Sequence, residues 1–393
     1  MTTRPNRPVY LDNQATTQCD PRVVQAMLPF FTERFANPHS AEHAMGLDAE
    51  AAVEAARAQV AALLGADARE VVFTSGATES NTLAIKGAAR FANGQGSPRR
   101  QIVTVATEHK CVLEAVQDLA DEGFEPVFLP VGSDGLVDPE ALRTALEMPT
   151  LLVSVMAVNN ETGVIQDISG LAAIARAAGA LFHTDAAQAI GKIPLDVAAM
   201  GIDLLSLSGH KLYGPKGVGA LYVRRRPRVR LSPLFSGGGQ ERGLRSGTLA
   251  APLLVALGEA CRIAGLEMAA DTARIAALRD RLFSALRDAI PGIVVNGSAD
   301  RRIAGNLNLT FPAASAVALM RAVPDLCVST GSACSSAEIE PSYVLRALGL
   351  DEARARRTLR IGIGRFTSAA DIDFAANALA AAHASVATAR IEA

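Results

Sequence analysis

The chain has 393 residues, enough for two ordinary domains with sizeable cores, and 49% of them are apolar, which excludes an intrinsically disordered protein. Its formal net charge of −2 gives no general attraction to nucleic acid or anionic membranes. Five cysteines (19, 111, 261, 327 and 334) are too few and too scattered for a disulfide framework, and none forms a CxxC pair, which argues against a structural zinc or iron–sulfur site.

In chain order, Met1 to Pro8 is polar and no signal-peptide apolar stretch follows it. No later window approaches the roughly 18–20 apolar residues of a membrane span. A soluble, cytoplasmic protein is expected. His39 and His43 stand at i, i+4, a spacing that sets two ligands on one helix face, but no third ligand accompanies them and no metal is expected.

From there, short apolar runs alternate with amphipathic segments, the pattern of an α/β protein with a mostly parallel sheet. Strands are predicted at Val71–Thr74, Ile102–Val105, Val127–Leu129, Leu151–Met156, Leu181–His183, Leu204–Leu207 and Val218–Val223. Helices are predicted at Thr78–Arg90, Val112–Glu122, Pro139–Leu146 and Leu171–Ala178. Arg224 to Arg230 is a basic run, read as a solvated turn. A long helix is expected from about Leu253 to Ile290, followed by strands at Leu307–Phe311 and Leu359–Ile363 among further helices. This predicts a large domain at 19–266 and a smaller α+β domain made of 1–18 and 267–393.

The strand at 71–74 runs into Ser75-Gly76-Ala77-Thr78 and then a helix, an arrangement that offers free backbone N–H groups to a phosphate. An ordinary capped helix reads the same way. Neither the nucleotide P-loop nor the dinucleotide fingerprint occurs, so such a phosphate would belong to another cofactor.

A lysine that binds an aldehyde as a Schiff base must sit where burial lowers its pKa. Of the five lysines (86, 110, 192, 211 and 216), Lys211 fits best, following a buried strand through Ser208-Gly209-His210. Lys86 falls mid-helix, and Lys192 and Lys216 neighbour Gly and Pro in apparent loops. Asp185 leaves another buried strand roughly 25 residues earlier, where a carboxylate can keep a pyridine nitrogen protonated. Gln188 stands three residues further on, within reach of the same pocket.

On these residues the chain resembles the cysteine desulfurases of the IscS/NifS type, in the class V aminotransferase group of fold-type I enzymes that use pyridoxal 5'-phosphate (PLP). The likeness runs from Val9-Tyr10-Leu11-Asp12-Asn13-Gln14-Ala15-Thr16-Thr17 to Gly364-Arg365-Phe366-Thr367. It includes Thr107-Glu108-His109-Lys110, Asn159-Asn160-Glu161-Thr162-Gly163 and Arg245-Ser246-Gly247-Thr248.

The resemblance implies that Lys211 holds the PLP aldehyde. Ala77, Thr78, Ser208 and His210 would hold the phosphate, with Thr248 reaching in from a second subunit of a homodimer. Asp185 would pair the ring nitrogen, Gln188 the ring oxygen, and His109 would stack on the ring and move protons. Asn160 and Arg360 would take the carboxylate of L-cysteine.

Ser329 to Ala337 is a run of small residues with Cys334 at its centre and reads as an exposed loop. The resemblance makes Cys334 the thiol that takes the sulfur, for delivery to an acceptor such as an iron–sulfur scaffold protein. After Gly364-Arg365-Phe366-Thr367 one Ala-rich helix is expected from Ser368 to Ala393, without the longer tail that docks the scaffold in the housekeeping type. Selenocysteine lyase, a transaminase, or a silent scaffold of the same fold are the alternatives.

Overall fold

The structure is a computed structural model that describes residues 8–331 and 341–389. Its strands are β1 (Val9–Tyr10), β2 (Val71–Thr74), β3 (Gln101–Val105), β4 (Glu125–Leu129), β5 (Thr150–Ser154), β6 (Leu181–Asp185), β7 (Leu204–Ser208), β8 (Gly219–Val223), β9 (Val294–Val295), β10 (Asn306–Thr310), β11 (Leu326–Cys327) and β12 (Thr358–Gly362). Seven of them form one sheet in the order β2-β8-β7-β6-β5-β3-β4. Within it β8 alone runs against its neighbours.

The apolar runs are continuous because both faces of this sheet are covered. Alternate residues point to opposite sides, as the pleat requires. Phe73, Val103, Val153, Phe182 and Leu205 enter one apolar cluster, whereas Val72, Ile102, Leu152, Leu204 and Leu221 enter another. A third cluster gathers Leu307, Leu309 and Phe311 around β10 with Leu359 and Ile361 of β12, and it takes in Val9 and Leu11 from the start of the chain. The 39-residue helix Ala251–Ala289 serves two clusters: Leu254, Leu257 and Ala264 pack in the first, Ile275, Leu282 and Leu286 in the third.

Strand and helix ends differ from the sequence reading by a few residues, except that the segment at 112–122 divides. It forms a helix at Lys110–Gln117 and a 3-10 turn at Asp118–Glu122. The two-residue strands β1, β9 and β11 and the helix Ala44–Leu64 were not anticipated. The terminal helix is described over Ala369–Ala389.

One expectation is corrected. His39 and His43 do not share a helix face, because His39 lies in a turn and His43 caps the following helix, its Nδ1 accepting from the Gly46 N–H at 3.0 Å. Among the described residues no three His, Cys, Asp or Glu side chains gather as a metal site, and no helix is long and apolar enough to cross a membrane.

Candidate active site

Loops at the carboxyl ends of parallel strands are where α/β sheets place ligands. Here β6 ends on Asp185 and the adjacent β7 on Ser208, both buried. The N-terminal segment closes over these ends. The Asn13 amide donates to the Gly362 carbonyl at 2.8 Å, and Gln14 Nε2 donates to the Gly305 carbonyl at 3.0 Å.

Lys211 follows β7 in a 3-10 turn at Gly209–Lys211. Its Nζ donates to the carbonyls of Gln14 (2.5 Å) and Ala15 (2.7 Å). Burial, helped by the Arg360 cation and opposed by Asp185 and Asp12, pushes its pKa down to about 8. That brings the amine within reach of its neutral, nucleophilic form near neutral pH.

Asp185 accepts from Asn81 Nδ2 at 2.7 Å and from the Ala187 N–H at 2.8 Å. Two residues earlier on β6, His183 is fully buried between the Ser154 and Ser206 hydroxyls (2.8 and 3.0 Å), and burial lowers its pKa to about 3. It is therefore a neutral spacer that adds no charge under Asp185. The Glu108 carboxyl is fully enclosed, and burial together with the Asp185 charge raises its pKa well above the usual carboxylate range. Glu108 is therefore the member of this pair whose neutral, protonated form is favoured.

His109 is exposed at the start of the Lys110–Gln117 helix, its Nδ1 3.0 Å from Cys111 Sγ. Burial beside Asp185 pushes the Cys111 thiol up to about 12, so it is no nucleophile. Burial also raises Cys19, and takes Cys261 to about 12.

The β2 turn contains Gly76 at φ 153° and ψ −178°, a conformation open in practice only to glycine. No side chain caps the helix Ala77–Gly94 that begins there, so the Ala77–Thr78 turn presents its helix-start amides to the space beside Ser208, whose Oγ would lie 3.8 Å from a Cβ at Gly76. His210 Nδ1 lies 3.1 Å from Thr16 Oγ1, and burial with three nearby lysines lowers its pKa to about 4. Thr248 is exposed in the single chain.

Arg360 projects from β12, 5% exposed, donating to Asp12 Oδ1 at 2.8 Å and to the Asn160 carbonyl at 3.0 Å. Its backbone pairs with Ser329 in both directions (2.7 and 3.2 Å), so the run of small residues leaves from beside this guanidinium. Cys334 lies outside the described residues. Glu161 stands where the run leaves and returns. Its Oε2 accepts from Ser342 Oγ at 2.6 Å and would lie 2.7 Å from a Cβ at Gly331. Burial raises its pKa to about 7.

A family model described as aminotransferase class-V matches residues 9–374. The chain belongs to the class-V aminotransferase family. It is 54% identical over 94% of its length to a cysteine desulfurase IscS from Rickettsia bellii, of which it covers 89%. Among solved structures, a NifS-like protein superposes with a TM-score of 0.88 at 36% identity, over 95% of this chain and 98% of that one. A second, described as SspA in complex with cysteine, gives a TM-score of 0.81 at 38% identity over 91% and 99%. The chain is accordingly a desulfurase that acts on cysteine, built on the fold-type I architecture.

Class-V aminotransferases use PLP, and the residues of this desulfurase suit that group. A buried carboxylate, a desolvated amine and an uncapped helix start match a ring nitrogen, an aldehyde and a phosphate. Several buried polar atoms around them lack partners among the described residues: Asn81 Oδ1, Glu108 Oε2, Asn160 Oδ1 and Arg360 Nε. Such orphans are costly unless a ligand meets them.

Three residues of the desulfurase site were missed from sequence. Glu161 sits inside a motif already quoted and Asn81 within the predicted helix at 78–90, but nothing local marks an amide that fixes Asp185 or a carboxyl between two loop ends. Lys192 was placed in a loop on its Gly and Pro neighbours. It does lie in a turn, but its side chain is drawn inward, its Nζ donating to Gln188 Oε1 at 2.8 Å, and burial lowers its pKa to about 7.

Proposed function

We propose that the chain binds PLP through Lys211 and turns L-cysteine into L-alanine, leaving the sulfur on Cys334 as a persulfide. The observation that carries this is the placement of Lys211 just past the end of β7, beside the end of β6 that bears Asp185. In this reading PLP, once bound, draws electrons from the substrate α-carbon.

Asp185, oriented by Asn81, keeps the ring nitrogen protonated, and Gln188 meets the ring oxygen. Ala77, Thr78, Ser208 and His210 hold the phosphate, joined by the partner subunit's Thr248. Arg360 and Asn160 take the substrate carboxylate, and His109 covers the ring and relays protons. Lys211, as a free amine, would take the α-proton. The Cys334 thiolate attacks the substrate sulfur as the carbon–sulfur bond breaks. The sulfur ends in the Cys334 persulfide, and the three-carbon remainder takes up protons and leaves as alanine. No outside oxidant is consumed.

A homodimer belongs to this reading. Leu28, Phe31, Phe35 and Leu47 are each at least half exposed, apolar side chains of the kind subunit contacts cover. The sulfur acceptor is a protein such as an iron–sulfur scaffold, and the setting is cytoplasmic.

The test is incubation with L-cysteine followed by intact-mass and peptide mapping. One sulfur atom added at Cys334, with equimolar alanine, is the expected result. Alanine release that persists in Cys334→Ser would overturn the mechanism.

A further inference from the structure

Gln188 carries an amide whose two ends do opposite things, since Oε1 accepts and Nε2 donates. Which end faces Lys211 therefore decides what the site offers there. Nε2 donates to the Gln14 carbonyl at 2.8 Å, the same oxygen that receives Lys211 Nζ. Oε1 faces the other way and takes the Lys192 ammonium at 2.8 Å.

Lys192 reaches this point from a sharp turn. Gly191, at φ +67°, sits so close to Leu212 that a Cβ would meet Leu212 Cδ1 at 2.1 Å. The turn thus needs glycine and directs the next side chain inward, beside Gln14, Asn13 and Tyr213. Asp271 borders the same cleft, but its Oδ2 receives Arg365 Nε at 2.8 Å. Among the described residues Lys192 forms no ion pair.

We propose that Lys192 is a positioning residue that fixes the orientation of the Gln188 amide, so that a donor and never an acceptor faces the coenzyme oxygen beside Lys211. While charged, below its pKa of about 7, Lys192 has three hydrogens and no lone pair, so it then tolerates only Oε1. The Gln14 carbonyl selects the same orientation from the far side, but coenzyme and substrate disturb that side during turnover. Lys192 holds the end that they do not touch. Without it, Oε1 is a buried acceptor with no donor among the described residues, and only the Gln14 carbonyl is left to fix the amide.

This rests on PLP occupying the site as proposed above, and the test separates the two. A donor on the coenzyme oxygen favours loss of the proton from the Lys211–coenzyme linkage, which the visible absorbance reports as a function of pH. In Lys192→Met the spectral midpoint should rise by about one pH unit, the equivalent of one hydrogen bond to a charged group. Lys192→Arg, still donor-only, should restore it. Gln188→Leu should raise the midpoint as well, and Lys192→Met/Gln188→Leu should match Gln188→Leu alone, because Lys192 acts through that amide.

Should Lys192→Met not accumulate as folded protein, Lys192→Gln must raise the midpoint too, since its own amide enforces no single orientation. A midpoint unchanged in these variants, or shifts that add in the double variant, would overturn this inference alone. A wild-type protein that gains no coenzyme absorbance would overturn both readings.

Discussion

Replacing Arg360 by leucine tests two roles of one guanidinium. With a pKa of about 8, roughly one Lys211 amine in ten is neutral at pH 7, against fewer than about one in a thousand for an ordinary lysine. Burial is the larger cause and Arg360 the next, while Asp12 pulls the other way. Arg360→Leu removes the cation and also frees the Asp12 carboxylate that it binds at 2.8 Å. Both changes favour protonated Lys211, so the midpoint must move up. A rise of about one unit would cut the neutral fraction at pH 7 by about tenfold.

The assay is the rate at which cofactor-free protein takes up PLP, followed by absorbance from about pH 6 to 10. Wild type should accelerate through about pH 8 and then level off. The variant should level off later. Its kcat/KM for cysteine should fall by about 10- to 150-fold, the loss of a charge-assisted contact to the substrate carboxylate. A midpoint that stays or moves down would refute the electrostatic account, and an unchanged kcat/KM would refute the carboxylate role.

Other outcomes follow from single contacts. Burial holds the folded-state pKa of Glu161 near 7, above its unfolded value, so the native state keeps a proton that the unfolded chain gives up. Stability should therefore fall as pH rises from the ordinary glutamate range through about 7, and this slope should flatten in Glu161→Gln, measured by thermal melts. Arg57 makes two 2.7 Å bonds to Glu241 with both side chains buried. Arg57→Met should cost about 3–5 kcal/mol in urea unfolding, because it leaves a buried carboxylate unpaired. With its pKa near 12, Cys111 should resist iodoacetamide at neutral pH while its reactivity climbs in alkali, as read by peptide mapping.

The central sheet was legible because its strands are buried on both faces and read as unbroken apolar runs, such as Leu204–Leu207. Strand β1 left no trace. Two residues carry no period, and what makes Val9 a strand is a partner at Leu326. The helix Ala44–Leu64 was missed because alanine fills its buried positions (Ala49, Ala56 and Ala61) and its exposed ones alike, which blurs any apolar stripe. Within the site, Lys211 and Asp185 could be read from their places after buried runs. Lys192 could not. Its surroundings are supplied by Gln188, Gln14 and Tyr213, and only the folded chain brings the last two beside it.

The pairing of β1 with β11 also bears on synthesis. Val9 emerges from the ribosome about three hundred residues before its partner Leu326, so this contact is among the most distant a chain of this length can make. Because Gln14 and Ala15, the carbonyls that receive Lys211, lie just beyond β1, the pocket cannot be finished until the last quarter of the message has been translated. The newborn sheet must wait, half-lidded, for its own beginning to be tied down. In that interval its incomplete packing leaves it open to misfolding.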